Sequence, residues 1–584
     1  MMAISLETSP ARVMRFGAFE INLESRELRK SGLRLRLEEK PMQILELLLA
    51  RPGQVVSRKS LKEKLWPDTT VNFEFGLNTA MNKLRQALGD TAENPRYVET
   101  MPKRGYRFIA AMGPASLSAV EESSHEASVA VLPFQNASGA QESEYLCDGI
   151  AEAIIHGLSR NHNLRVVAWN TVRRYKGKDV DPRMAGKNLQ VRAVLVGKVE
   201  PKGASFALSA ELVAAETGWL LWGLQTSCSL ANLLGLQDDI TREVAAKLQP
   251  RPSSLSRRTP SHPYTDNPEA YSDYLKGRYH AHRLSEDAMG ESITYYQLAI
   301  EKDPHFALAH AGLADTYILL AFTCAYPPHE MIPLARTAAG KALALDEHLA
   351  EAHASLASII KVDERDWTAA EREYLRCLEL NPNDADAHRA YADFLSALGR
   401  SSEASQEIRK AQELDPLSLL IGVEAAWNLH MCRDFVRARE QALKVLEMEH
   451  EFPAALHILG LACEQLGEHS EAIAAFERAN ILTGSHQTIQ ASLAHLHGRQ
   501  GRRDTASVIL QELQKAAAQQ YVSPYYIAMI YAGMGEKLKA IEGLEKAFAE
   551  HDVWLIWLDR EPRWDSLRNE PRFRDILRRM KFTD

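Results

Sequence analysis

Six alanines in the second half of this chain, Ala370, Ala404, Ala438, Ala472, Ala506 and Ala540, follow one another at a constant interval of 34 residues. Gly399, Gly467, Gly501 and Gly535 keep the same interval. A period of this length restricts the region to a stack of like units, each able to bury its apolar face only against its neighbours. The segments around the alanines, such as "GRSSEASQEIRKAQELDP" and "GEHSEAIAAFERAN", carry helical spacing of apolar residues. The glycine then makes the turn into a helix, and the alanine early in that helix lets its partner approach closely. Pro382 and Pro416 mark the ends of two units, while "AYPPHE" interrupts the period upstream. About eight helix pairs are expected from Pro268 to Phe548. The ending "WLIWLDREPRWDSLRNEPRFRDILRRM" has a different pattern and is expected to cap the stack.

This unit, with its glycine turn, small residue and closing proline, resembles the tetratricopeptide repeat. The resemblance implies a superhelical stack whose concave face binds a peptide or partner domain. The repeats contain no nucleophile, base and orienter set. "HAH" (280–282) and "HLH" (495–497) place two rings at i, i+2 on a helix, where they diverge, so they read as solvated or structural.

Two stretches of small polar residues, at 113–127 and 250–267, read as linkers and divide the chain into a head, a middle and the repeats. The net charge of −8 is unevenly spread: Met14 to Met112 holds 18 Lys+Arg against 12 Asp+Glu, and the first 13 residues balance. A basic head on an acidic body implies that the head meets a polyanion. Six scattered cysteines without C-x-x-C spacing argue against a disulfide framework or zinc site. "MMAISLETSPARVMRF" lacks the apolar core of a signal peptide, and "GWLLWGL" is too short to span a bilayer. A cytoplasmic protein with no membrane contact is expected.

The middle region alternates strand patterns (Ser128–Phe134, Leu164–Trp169, Val191–Glu200, Ser205–Ala215) with helices at Tyr145–Arg160 and Leu236–Leu248, the pattern of an α/β sandwich. On "AVLPF", "DGI" and "VLVGKV" it resembles the α/β domain similar to the N-terminal domain of TolB, often found before tetratricopeptide repeats. Asp148 and Gly149 could hold a ligand at a helix start, but an acid at a helix N-terminus and a backbone turn explain them equally well. No Walker A pattern occurs, and no cofactor is expected.

In the head, alternating apolar residues from Phe16 to Leu37 predict a small antiparallel sheet, followed by helices at Lys40–Gly53 and Ser57–Trp66. A third helix, "GLNTAMNKLRQALGD", buries Leu77, Met81, Leu84 and Leu88 in one stripe. Thr79, Asn82, Lys83 and Gln86 fall opposite, with Asn78 and Arg85 on a flank. Amide, hydroxyl and cationic side chains without a carboxylate suit the major groove, where Asn and Gln pair with adenine and Lys with guanine or phosphate. The hairpin "RYVETMPKRGYRF" then holds Lys103 and Arg104 at its tip.

Sheet, three helices and basic hairpin over Met14 to Ala111 resemble the OmpR/PhoB-type winged-helix domain, as in CadC/ToxR-like regulators but without their transmembrane segment. The resemblance implies that the third helix lies in the major groove of double-stranded DNA with Asn78, Thr79, Asn82 and Lys83 at bases or phosphates. Lys103 and Arg104 would reach the neighbouring minor groove, and Ser57 and Arg58 would hold backbone phosphates. The loop 66–75 occupies the family's segment for contacting RNA polymerase. The recognition helix is richer in amides than in arginine, so no target sequence transfers with the resemblance.

The fold expected is therefore multidomain α+β: a winged helix-turn-helix over 14–112, a small α/β domain over 128–249, and an α-helical repeat solenoid with its cap over 268–584. The 13 residues before the head are too few for a receiver domain of ~120 residues. The reading is a one-component transcriptional regulator, not an enzyme, whose middle and repeats sense a ligand or partner and whose heads bind as a homodimer on paired half-sites. The alternative is a repeat scaffold with vestigial DNA binding; a third reading makes the middle domain an enzyme.

Overall fold

A computed structural model describes residues 13–16, 19–22, 26–30, 33–35, 37–66, 73–88, 90, 95, 97–101, 104–110, 127–139, 143–202, 205–248, 265–283 and 285–582. Most of both predicted linkers, with Lys103 at the hairpin tip, lies outside them. The chain forms two compact units, Met1–His125 and Glu126–Asp584.

The first unit opens with four short antiparallel strands in sequence order, β1 (Val13–Phe16), β2 (Phe19–Asn22), β3 (Glu27–Lys30) and β4 (Leu33–Leu35). Then come α1 (Glu39–Leu49), β5 (Val55–Ser57), α2 (Arg58–Leu65), α3 (Phe73–Leu88), β6 (Val98–Met101) and β7 (Gly105–Phe108). The last three strands pair antiparallel in the order β5-β7-β6. β5 is an addition to the sequence reading, and α3 begins three residues before Gly76. One core joins Ile21 and Leu28 of the first sheet, Ile44 and Leu48 of α1, Leu77, Met81, Leu84 and Leu88 of α3, and Val98, Tyr106 and Phe108 of the hairpin.

The second unit starts with a mixed sheet: β8 (Ala127–Val131), β9 (Gln135–Asn136), β10 (Leu164–Val166), β11 (Ala193–Lys202), β12 (Ser205–Ala214) and β13 (Leu220–Ser229). Its order is β10-β8-β11-β12-β13, with β9 beside β11. β8 runs parallel to both neighbours, and β11 and β12 share a ten-residue antiparallel ladder. The helices are α4 (Glu144–Ser159), α5 (Trp169–Val172), α6 (Pro182–Leu189) and α7 (Leu233–Leu248). The segment "GWLLWGL", considered above only as a membrane candidate, supplies the start of β13.

Eight helix pairs follow among the described residues: α8 (Pro268–Ala281) with α9 (Glu286–Lys302), α10 (Ala307–Phe322) with α11 (Pro328–Leu345), α12 (Ala350–Ile359) with α13 (Trp367–Leu380), and α14 (Ala385–Ala397) with α15 (Ser401–Leu414). Next are α16 (Leu419–Met431) with α17 (Phe435–Met448), α18 (Pro453–Leu466) with α19 (His469–Leu482), α20 (Gln487–Arg499) with α21 (Arg503–Ala516), and α22 (Pro524–Gly533) with α23 (Lys537–Ala549). All six periodic alanines are fully buried, and the four periodic glycines are left-handed, as the turn requires. Arg365 and Arg433 occupy the same turn position in two other units and are left-handed too.

The chain's ending does more than cap the stack. Two 3-10 turns, Val553–Trp557 and Pro562–Leu567, and a last helix α24 (Pro571–Arg579) lie against the first helices of the later pairs. Trp557 packs edge-on against Trp427 of α16, Trp564 donates to Tyr525 Oη of α22 at 2.9 Å, and Arg563 donates to Ser492 Oγ of α20 at 2.9 Å. Part of the first-helix side of the later pairs is thus covered by the chain itself. His495 is buried and paired with Glu464 at 2.9 Å, and His282 bonds Glu152 at 2.7 Å, so both histidine pairs belong to the framework.

The middle domain docks on the repeats. A Cβ at Gly149 would stand 2.7 Å from Leu275 Cδ2, so this glycine lets α4 close on α8. Asn383 Nδ2 donates to the carbonyls of Ser159 and Asn161, and Thr171 bonds Asp415. Glu152 of α4 pairs with Arg278 and His282 of α8. Burial pushes Glu152 up, but Arg278 foremost, with His282 beside it, outweighs that and holds it at about 2. Among the described residues, no helix is long and apolar enough to cross a membrane.

Candidate nucleic-acid interface

The exposed side of α3 carries Asn78, Thr79, Asn82 and Lys83. They share one side because Leu77, Ala80, Met81 and Leu84 take the other into the core. The Gln86 side chain lies outside the described residues. Lys83 Nζ meets Glu38 Oε1 at 2.6 Å with both side chains about half exposed or more, at 47% and 67%. An ion pair this open to water is worth ~0–1 kcal/mol.

Asn78 and Arg58 meet at Tyr106, whose ring is buried in the hairpin. Tyr106 Oη donates to Asn78 Oδ1 at 3.3 Å and accepts from Arg58 Nη2 at 3.1 Å. The Arg58 guanidinium also lies over the Tyr106 ring, 5.3 Å from its centre. One phenol therefore ties α2, the wing strand and α3 together, and sets their relative positions. Ser57 caps α2: its Oγ accepts from Ser60 N at 3.1 Å. Arg58 N donates to Arg104 O at 3.2 Å, which holds the wing tip against the start of α2.

Arg104 is exposed at that tip, and its N donates to Met101 O at 3.0 Å. Gly105 makes the close return possible, since a Cβ there would lie 2.0 Å from the backbone oxygen of Val56. The two wing strands are further joined by Arg107 and Glu99 at 2.6 Å.

Arg85 departs from the sequence reading. It is not on the flank of the exposed face but buried, with Nη2 donating to Val98 O at 2.9 Å and Thr100 Oγ1 at 2.7 Å. At the end of α3 this guanidinium anchors the first wing strand, and Asp90 accepts from Val98 N at 2.8 Å beside it. Reading the residues singly also missed Lys59, which leaves 87% of its side chain exposed on α2, and the exposed Lys62 and Lys64. "SRKSLKEKLW" held that signal as a run of cations at a helix start. Of the expected loop 66–75, residues 73–75 are instead the first turn of α3, and Trp66 and Phe73 pack edge-on at 5.5 Å.

Elsewhere Asp148 serves the framework: its Oδ2 takes Lys176 Nζ at 2.6 Å, and Glu144 shares the same lysine at 2.9 Å. Cys463, Glu468 and Glu471 come within metal-ligand reach of one another, but Glu468 already holds Arg439 at 2.7 Å.

A three-helix head with a sheet on each side and a basic hairpin is a winged-helix DNA-binding fold, here of the OmpR/PhoB type. Residues 32–108 match the family model described as the C-terminal domain of transcriptional regulatory proteins. Residues 124–244 match the second domain of HilA/YgeH-like transcriptional regulators, and 373–406 and 453–480 match tetratricopeptide repeats. The domain order is that of a HilA-like DNA-binding transcriptional regulator.

Transcriptional regulator HilA of Salmonella typhimurium is 24% identical over 423 residues, covering 70% of this chain and 72% of HilA. The cholera toxin transcriptional activator of Vibrio cholerae is 39% identical over 77 residues, 13% of this chain and 26% of that one. A Rhizobium meliloti protein bearing an adenylate cyclase name is 31% identical over 271 residues, 46% of this chain. The match spans 44% of that protein's own length.

Proposed function

We propose that this protein regulates transcription by seating α3 in the major groove of specific DNA sites, while the second unit responds to a protein partner or ligand. The observation that carries the reading is the carboxylate-free row of Asn78, Thr79, Asn82 and Lys83, coupled through Tyr106 to the basic wing. In this reading Asn82 and Thr79 read base edges, with Gln86 one turn further along α3. Lys83 exchanges Glu38 for a phosphate or a guanine. Lys103 and Arg104 enter the neighbouring minor groove or meet its phosphates, and Ser57 and Arg58 sit beside the backbone at the start of α2.

Two heads on paired half-sites would read a site with two-fold symmetry, and the loop 66–75 would face RNA polymerase. A partner on the repeats acts only if it binds two states of the protein with different affinity. Because the chain's own ending fills part of the first-helix face, a partner would take the surface that remains or displace that ending.

Fluorescence anisotropy of the full chain against genomic fragments, with random duplex as competitor at physiological salt, tests this. Preference for particular fragments, weakened by Lys83→Ala and by Arg104→Ala, is the expected result. Equal affinity for random duplex, or binding unchanged in both variants, would remove the basis of the proposal.

A further inference from the structure

β13 ends the sheet, with β12 its partner in the strand order of the described residues. Its ten residues, LLWGLQTSCS, contain neither a charge nor a proline. A free edge exposes a row of N–H and C=O groups that pair with an arriving strand, so edges are ordinarily guarded by lysine, proline, a bulge or short length. β13 has a register irregularity opposite Leu212/Val213, and from Trp222 to Ser229 its ladder is regular.

The same end of the sheet carries an apolar patch. Trp219 is 75% exposed, Leu220 60%, Leu221 40%, and Met184 of α6 63%. α6 meets this turn directly, since a Cβ at Gly218 would stand 2.8 Å from Arg183 Cδ. The four side chains present on the order of 450 Å² of apolar surface, at ~150–250 Å² for each large side chain. That is the size of the largest patch on an ordinary monomer. Tryptophan and methionine are enriched at interface centres, and here Trp219 stands in the turn before the uncharged strand and Met184 on α6 beside it.

We propose that β13 pairs antiparallel with β13 of a second copy of this chain about a two-fold axis, joining two six-stranded sheets into one, with Trp219, Leu220, Leu221 and Met184 as its apolar anchors. A copy fits this edge on three counts. A two-fold operation sets each copy's outward N–H and C=O groups against the other's. An uncharged edge meets an identical one without repulsion. Two patches and the strand pair between them approach the ~1,200 Å² at which specific interfaces begin. A charged peptide would instead leave ions against Trp219 and Leu221.

Sedimentation equilibrium on the full chain without DNA tests the pairing separately from the regulator reading. The wild-type chain is expected to be dimeric at ~10 μM, with the double variant Gly223→Lys, Gln225→Lys raising the dimer Kd at least ~10-fold. Both positions are exposed, and a Cβ at Gly223 finds its nearest atom at 3.6 Å, so the sheet accepts the change. Trp219→Ser, at the exposed turn, should weaken the dimer without altering the melting of unit two. A wild-type monomer at ~50 μM, or dimer affinity unchanged in both variants, overturns the proposal. So does a monomer that dimerises only after removal of residues 249–264, since the edge would then be covered by the chain's own connecting segment.

Discussion

Gly105 sits where the wing turns back onto β5, with φ +153° and Val56 O at 2.0 Å from the place of a Cβ. No side chain relieves a clash with a backbone oxygen, so Gly105→Ala should destabilise the head by ~3 kcal/mol or more. A shifted denaturation midpoint for the head, with that of the second unit unchanged, checks this. Tyr106→Phe keeps the buried ring but drops the hydroxyl that joins Arg58 to Asn78, and each such bond is worth ~1 kcal/mol. DNA affinity should fall, and the ~2 kcal/mol lost with the two bonds should lower the melting temperature of the head by ~8–16 °C. At the tip, Arg104→Ala should weaken all duplexes alike and lower the slope of log K against log salt by ~1. Asn82→Ala should instead relax preference at one base position by ~1–3 kcal/mol. The exposed residues of α3 were legible in the sequence because helical spacing alone assigns a side. Arg85 was not: its partners, Val98 O and Thr100 Oγ1, come from a strand whose approach the spacing does not encode.

The ending of the chain acts as one element from Asp552 to Phe582. Two consecutive turn positions of the repeats receive it: Gly399 leaves room for the Arg560 guanidinium, and Arg433 pairs with Asp565 at 2.6 Å. At the turn before them Arg365 lies over Phe548 of α23 at 4.0 Å, and Lys581 of the ending donates to the carbonyl of neighbouring Glu364 at 3.1 Å. The break in the glycine period at 433 therefore has a use, since an arginine there reaches the ending at the cost of a left-handed residue. Inside the contact, Glu561 is 1% exposed between Arg563 at 3.0 Å and His430 at 3.6 Å. Burial pushes the Glu561 carboxyl up, and Arg563 foremost, with His430 beside it, brings it well below the usual range. Arg563→Ala would leave this carboxylate buried without its main partner, at a cost of ~3–5 kcal/mol. Thermal melting should register that loss, and a double variant with Glu561→Gln should recover a large part of it.

At the scale of the whole molecule, the second unit joins the middle domain and the repeats that the sequence divides. Calorimetry should resolve its melting from that of the head. Glu152 is part of that joint, and its carboxyl is held at about 2 against an ordinary 4.5. A lowered carboxyl contributes stability above pH 4.5 and loses it as pH falls toward 2, so the joint should weaken in that window by about 3 kcal/mol. Glu152→Gln should flatten that acid limb while lowering stability at neutral pH. An acid limb that persists in the variant would place the sensitivity in other groups.

Local periodicity determined much of this protein from the sequence alone. A 34-residue interval requires stacked helix pairs, and a 3.6-residue stripe chooses which side of α3 is buried, because both follow from backbone geometry within one element. Tertiary structure decided what depends on elements meeting from afar. It buried Arg85 under the wing, tied Arg58 and Asn78 to one phenol, folded the ending onto the repeats and closed the middle domain onto α8. Those contacts are chosen by charge, shape and close approach between segments up to hundreds of residues apart, and no short-range pattern records them.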